Sequence, residues 1–98
     1  MLTINKTMEN TTACFQLEGR LDTNTAPELE EALRDLEGVD TLCLDFEKLE
    51  YISSAGLRVL LSAHKRMLGQ GSMKITNVGE IIQEVFEVTG FSDILTIV

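Results

Sequence analysis

The sequence contains no tryptophan, one proline, one histidine and two cysteines. These residues are too few for a structural zinc site or a disulfide framework, so we expect no metal and no cofactor. No apolar run approaches the roughly 20 residues of a membrane-spanning helix, and the N-terminus lacks a charged leader followed by an apolar core. The sequence therefore predicts a cytoplasmic protein without membrane association.

Basic residues are also scarce, because sixteen acidic residues outnumber eight basic ones and the formal net charge is −8. Such an excess of negative charge argues against direct nucleic-acid binding and favours protein partners. The basic residues are unevenly distributed. From Tyr51 to Gly79 the chain has four basic residues and no acidic one, so this segment carries +4 and leaves −12 for the rest.

Length and composition fit one domain over residues 1–98, because 44% of the residues are hydrophobic and can build a single core. Two alternating segments near the N-terminus predict a hairpin-like pair of strands. A near-continuous apolar run later in the chain predicts a central parallel strand, buried on both faces. Strands are expected at residues 2–7, 13–17, 41–46, 73–76 and 94–98.

Apolar residues at helical spacing predict three helices. The first is expected to begin with a capping box formed by Thr25 and Glu28. Strands that alternate with helices predict an α/β fold, with a mixed and mostly parallel sheet of four to five strands flanked by about three to four helices. The helices are expected at residues 25–37, 54–68 and 80–88, with Gly38, Gly69, Gly71 and Gly90 as helix stops.

Two adjacent serines, Ser53 and Ser54, lie where the central strand is followed by the second helix. The first turn of a helix has unpaired N–H donors and a partial positive charge, which together favour an attached phosphate. The predicted outer face of this helix is basic, with Arg58, Lys65 and Arg66, and Leu68 is placed on its apolar side. The segment is therefore a candidate phosphorylation switch, although the basic face also fits an ordinary solvated surface.

Four segments, spread over nearly the whole chain, carry a resemblance to a known family. They are Gly19-Arg20-Leu21-Asp22, Leu44-Asp45-Phe46, Tyr51-Ile52-Ser53-Ser54-Ala55-Gly56-Leu57 and Val88-Thr89-Gly90-Phe91. Together these segments resemble the STAS domain, and a free-standing acidic domain of this size is similar to the anti-sigma factor antagonists of bacteria.

The resemblance implies a partner-switching cycle. The unphosphorylated antagonist binds an anti-sigma factor that is also a serine kinase, and a sigma factor is released. Phosphorylation breaks this complex, and a separate serine phosphatase restores the antagonist.

The resemblance also implies which residues form the site. The family's phosphoacceptor is the serine two places before a glycine, which is Ser54 here. Ser53 is the second choice and stands where the family often has aspartate, and its own predicted role is that of a helix cap. The expected partner-binding residues are Asp22, Asn24, Thr25, Ser53, Ser54, Ala55, Gly56 and Arg58.

Two other functions are open from the sequence. An enzyme with Ser54 as nucleophile needs a base nearby, but the single histidine, His64, is ten residues further along the same helix, or about 15 Å. This spacing predicts that the chain is not an enzyme. Alternatively, the domain serves another signalling or transport-regulatory complex and binds a protein or a nucleotide without sigma-factor control. A glycine-rich phosphate loop, which would favour the nucleotide, is absent.

Overall fold

A computed structural model describes all 98 residues as one four-stranded sheet, in the order β1-β2-β3-β4, with three α-helices. The first two strands are antiparallel, and the other neighbours are parallel. The predicted α/β fold with a mixed, mostly parallel sheet is confirmed. The strands are Leu2–Glu9 (β1), Thr12–Leu21 (β2), Thr41–Ile52 (β3) and Ser72–Thr76 (β4), and the helices are Ala26–Ala32 (α1), Ser54–Leu68 (α2) and Glu80–Thr89 (α3).

Alternation along the strands separates the two faces of the sheet. One face is apolar and packs against the helices, and residues from every strand and every α-helix join a single hydrophobic cluster. In this cluster the rings of Phe46 and Phe86 lie with their centroids 6.4 Å apart, which fixes α3 against β3. The opposite face is open and carries polar side chains such as Gln16, Glu18 and Asp45. None of the helices combines the length and the apolar character that a bilayer crossing requires.

The strands differ from the prediction in three places. β2 continues to Leu21 instead of ending at Leu17. β3 continues to Ile52 instead of ending at Phe46, because it pairs with the second half of β2 after β4 has ended. The strand expected at residues 94–98 is not formed. A short 3-10 helix at Phe91–Asp93 follows α3, and only a single bridge then joins Ile97 to β4.

The first helix is also shorter than predicted, because α1 ends at Ala32. The N–H groups of Leu33 and Arg34 still donate to carbonyl oxygens of α1, but the carbonyl groups of the segment that follows accept hydrogen bonds from side chains at the end of α2. The guanidinium of Arg66 donates to the carbonyl oxygens of Leu33 and Arg34 at 3.3 and 2.6 Å, and the side chain of Gln70 donates to two carbonyls further along. These donors satisfy carbonyl groups that the helix end leaves free.

The glycines that follow the helices occur at their positions for different structural reasons. Gly90 ends α3 with a φ of 83°, a conformation that favours glycine and fits the predicted helix stop. Gly71 is required by a close approach, since a Cβ there would overlap the carbonyl oxygen of Asp40. Gly69 has an ordinary helical φ of −84°, and a Cβ there would lie 3.5 Å from the carbonyl oxygen of Arg66.

This contrast gives a paired prediction for stability. Gly71→Ala should lower the free energy of unfolding by about 2–4 kcal/mol, because the backbone next to Asp40 must move. Gly69→Ala should leave it unchanged or raise it by up to about 1 kcal/mol, because alanine restricts the unfolded chain. Urea denaturation of both variants and the wild type measures the difference. Equal effects would contradict the close-approach explanation.

Candidate functional site

The parallel pairing of β2 with β3 brings the loop at residues 22–25 next to the start of α2. Leu21 pairs with Ile52 at the ends of the two strands. The N–H of Ser53 then donates to the carbonyl oxygen of Leu21 at 2.9 Å, which extends the ladder one residue past β3. Asp22 and Ser53 therefore lie at the same edge of the sheet.

Ser53 is the N-cap of α2. Its backbone is extended, with φ −103° and ψ 175°, and its side-chain oxygen accepts a hydrogen bond from the N–H of Gly56 at 3.4 Å. Gly56 is buried, and a Cβ there would lie 2.7 Å from Cγ of Leu21. Glycine thus allows the first turn of α2 to pack directly on β2. Ser53 and Gly56 therefore support the site through the helix cap and through close packing.

Ser54 is the first residue of α2, and it is exposed. Because Ser53 fills the cap position, the structure does not need the hydroxyl of Ser54 for capping. The first turn of α2 contains no acidic residue, and the helix dipole adds partial positive charge at this end. The hydroxyl is accessible, and the helix end that carries it favours a negative charge.

Thr25 is the one buried polar residue of the chain, with 4% of its surface exposed. Its hydroxyl donates to the carbonyl oxygen of Arg20 and accepts from the N–H of Asp22, both at 2.8 Å. The predicted capping box with Glu28 is wrong, because no side chain caps α1 and the hydroxyl is turned into the loop. Thr25 holds the loop together, and almost none of its surface is exposed.

Hydrogen bonds within the loop also set the charge of Asp22. Its carboxylate accepts from the N–H groups of Asn24 and Thr25 at 3.0 and 3.1 Å. Burial on its own raises the pKa of Asp22, but the hydrogen bonds from Thr25 and Asn24 outweigh it and hold this pKa below its usual value. Asp22 is therefore ionised at neutral pH, while Asn24 is exposed beside it.

Arg20 and Tyr51, for which no role was predicted from the sequence, also lie at this edge. The guanidinium of Arg20 lies 4.2 Å from the centre of the Tyr51 ring, and its Nε lies 3.9 Å from Oδ2 of Asp22. Both residues lie in segments that carry the resemblance, but their stacking depends on the pairing of β2 with β3. That pairing sets Arg20 opposite Tyr51.

A groove between α1 and α2 continues the surface away from Ser54. Ala26, Ala55 and Val59 supply its apolar part, and Glu30 and Arg58 supply charges. The predicted basic outer face of α2 is present, because Arg58, Lys65 and Arg66 are exposed. Leu68 lies on the predicted apolar side of the helix, but as the last residue of α2 it is 70% exposed.

His64 does not reach the site. It lies on α2, ten residues after Ser54, and ten helical residues span about 15 Å. A Ser54–His64 nucleophile pair is therefore excluded by geometry. The structure contains no group of three or more His, Cys, Asp or Glu residues that could hold a metal ion.

Comparison with known proteins identifies the family. Residues 3–98 match the STAS domain. The chain belongs to the STAS family. An anti-sigma-B factor antagonist from Bacillus subtilis is 35% identical to it over 83% of this chain and 76% of the relative. Another, from Staphylococcus aureus, is 29% identical over 96% of this chain and 90% of the relative.

Solved structures show the same STAS fold. An anti-sigma factor antagonist from Mycobacterium paratuberculosis matches with a TM-score of 0.88 at 19% identity, over 99% of this chain and 85% of the other. The phosphorylated form of the Bacillus cell fate determinant SpoIIAA matches with a TM-score of 0.77 at 19% identity, over 98% and 91%. The resemblance inferred from the four sequence segments is confirmed.

The two serines should respond differently to alanine. Ser53→Ala removes the N-cap of α2 and should lower the free energy of unfolding by about 0.5–2 kcal/mol. Ser54→Ala removes an exposed hydroxyl and should change it by less than about 0.5 kcal/mol. Chemical denaturation of both variants provides the test, and a larger loss for Ser54→Ala would contradict the assignment of the cap.

The loop predicts a coupled change in stability and in acidity. Thr25→Val leaves the part-buried N–H of Asp22 and carbonyl of Arg20 without the hydroxyl that bridges them, and should cost about 1–3 kcal/mol of unfolding free energy. It should also raise the pKa of Asp22, measured by carboxyl NMR titration, because the Thr25 hydroxyl, which lies 3.2 Å from Oδ1 of Asp22, is lost while the backbone N–H donors remain. Thr23→Val, at a neighbouring exposed position, is the control and should change neither quantity.

Proposed function

We propose that this STAS domain is an anti-sigma factor antagonist that acts by partner switching in the cytoplasm. The unphosphorylated form binds an anti-sigma factor that is also a serine kinase, and a sigma factor is released. The observation that carries the proposal is the exposed Ser54 at the first residue of α2, beside the ordered loop at residues 22–25. The names of the relatives, which are antagonists of anti-sigma factors, support the class of partner.

The switch is a phosphoryl transfer to Ser54. The hydroxyl oxygen attacks the γ-phosphorus of ATP held by the kinase, the bond to ADP breaks, and the hydroxyl proton passes to a base of the kinase. A serine phosphatase hydrolyses the phosphoserine with water, which releases inorganic phosphate and restores the hydroxyl. Both catalysts are partners, so the chain acts as a regulator and not as an enzyme.

The partner contacts the exposed part of the edge, and the buried part supports it. Asp22, Asn24, Ser54 and Arg58 present polar groups to the solvent, and Ala55 adds apolar surface at the mouth of the groove. The remaining expected residues, Ser53, Thr25 and Gly56, position this surface through the cap, the loop and the close packing on β2.

Phosphorylation acts at the interface and not on the fold. A phosphate adds about −1.5 to −2 charges at neutral pH. The N-terminus of α2 tolerates this charge because of its free N–H groups and dipole. A partner that packs against the unmodified hydroxyl must instead bury an unpaired dianion, which costs several kcal/mol.

Binding and stability should therefore respond separately to modification. Phosphorylation at Ser54, or Ser54→Asp, should weaken binding to the purified anti-sigma factor kinase by about a hundredfold or more. The free energy of unfolding should stay within about 0.5 kcal/mol of wild type. Calorimetric titration and amide hydrogen exchange measure the two effects, with Ser54→Ala as the control that keeps binding.

Two results would count against this proposal. Equal affinity of the wild type, Ser54→Ala and Ser54→Asp for the kinase would remove Ser54 as the switch. Lost binding together with a global loss of amide protection would show that the modification unfolds the domain instead of blocking the interface. Mass spectrometry of the kinase-treated protein separates Ser54 from Ser53 as the acceptor.

A further inference from the structure

The outer face of α3 carries an apolar stripe whose two end residues are largely exposed. Ile81, Val85 and Val88 follow one another at helical spacing and lie within about 60° of the helix circumference. Ile81 is 67% exposed and Val88 is 82% exposed, while Val85 is partly buried. We call these three residues the α3 stripe.

The residues of the α3 stripe do not suit a helix face that meets only water. Isoleucine and valine are weaker helix formers than alanine, glutamate or lysine, because their branched side chains lose rotamer freedom in a helix. The core-facing side of α3 already has its own apolar residues, Ile82 and Phe86, which are 1% and 0% exposed. Val85 also packs against the core cluster, whereas Ile81 and Val88 are additional to the apolar surface that the fold uses.

Negative charge borders the α3 stripe along one side. Glu80, Glu84 and Glu87 are exposed, and at 100° per residue all three lie on the same side of the stripe. The other side turns towards the core. From Asn77 to Val98 the chain contains no basic residue. The two salt bridges of the protein join residues on or beside β2 and α1 and do not involve α3. The three glutamates therefore have no ion-pair partner in the chain.

We propose that α3 is a second docking surface, which binds an amphipathic helix of a partner protein that carries Lys or Arg along one flank of its apolar face. The apolar residues of such a helix would cover the α3 stripe, and its cations would face the three glutamates. Apolar anchors at helical spacing with charges at the rim are a common mode of helix recognition.

A second copy of the chain fits this surface less well. Antiparallel pairing of two α3 helices about a twofold axis sets the same flanks against each other, so the glutamates of one copy would face those of the other. Like charges in direct opposition disfavour such contacts. The surface also lies outside the loop and the α2 residues assigned to the Ser54 site, so its occupancy does not depend on the proposed switch.

A designed peptide pair tests the proposal on the intact protein. The probe is an 18-residue helical peptide with leucines at helical spacing and lysines along one flank, and its control has glutamates in place of the lysines. We expect the lysine peptide to bind at least about tenfold more tightly at low ionic strength. The largest amide NMR shifts should fall on α3.

Variants at matched exposed positions make the test specific. Ile81→Gln should weaken binding of the lysine peptide by about tenfold, while Leu68→Gln, at a residue that is 70% exposed on α2, should leave it unchanged. Glu84→Gln should weaken binding severalfold, and Glu9→Gln on β1 should not. Ser54→Asp should bind the peptide as the wild type does.

Three outcomes would overturn the proposal. The first is a lack of specificity, seen as equal affinity for the two peptides or as an equal loss of affinity for the lysine peptide in Ile81→Gln and Leu68→Gln. The second is a set of amide shifts spread over the other acidic surfaces. The third is self-association of the peptide-free protein in analytical ultracentrifugation that Ile81→Gln abolishes, which would assign the α3 stripe to a second copy. Kinase binding by these variants, measured separately, tests the Ser54 switch and not this surface.

Discussion

The pairing of β2 with the last part of β3 is the constraint on which the site depends. β4 ends opposite Asp45, so beyond that point β3 has only β2 as its neighbour in the sheet. The hydrogen bond from Ser53 to Leu21 carries the pairing up to the first turn of α2. Without the pairing of β2 with β3, the loop at residues 22–25 would not be held next to the first turn of α2, and the residues around Ser54 would not be fixed in position.

The site divides its residues between support and recognition. Thr25 and Gly56 are buried and support the site. The hydroxyl of Thr25 bridges two backbone groups of the loop, and the lack of a side chain at Gly56 lets α2 pack closely against β2. Ser53 satisfies a free N–H of α2, which leaves its neighbour Ser54 without a structural task. A residue with no structural task can gain a charged group while the fold keeps its hydrogen bonds and its packing.

Local signals predicted the sheet type, the bounds of α2 and the cap, because each depends on residues close together in sequence. The errors arose where a residue has a partner outside the motif that was used for the prediction. Thr25 and Glu28 have the spacing of a capping box, but the Thr25 hydroxyl donates to the carbonyl oxygen of Arg20, five residues earlier on β2. A helical wheel assigns Leu68 to a face but does not show where the covering surface ends. The stack of Arg20 on Tyr51 needs strand pairing, which no local pattern specifies.

Charges of opposite sign are separated along the chain. The segment from Tyr51 to Gly79 has only basic charges, whereas the segment from Asn77 to Val98 has only acidic ones. A phosphate on Ser54 would offset part of the positive charge of the first segment. It would leave the charge of the second segment unchanged. Recognition at α3 rests on apolar residues and glutamates that phosphorylation leaves in place. A protein held at α3 could therefore remain bound while the partner at Ser54 is exchanged.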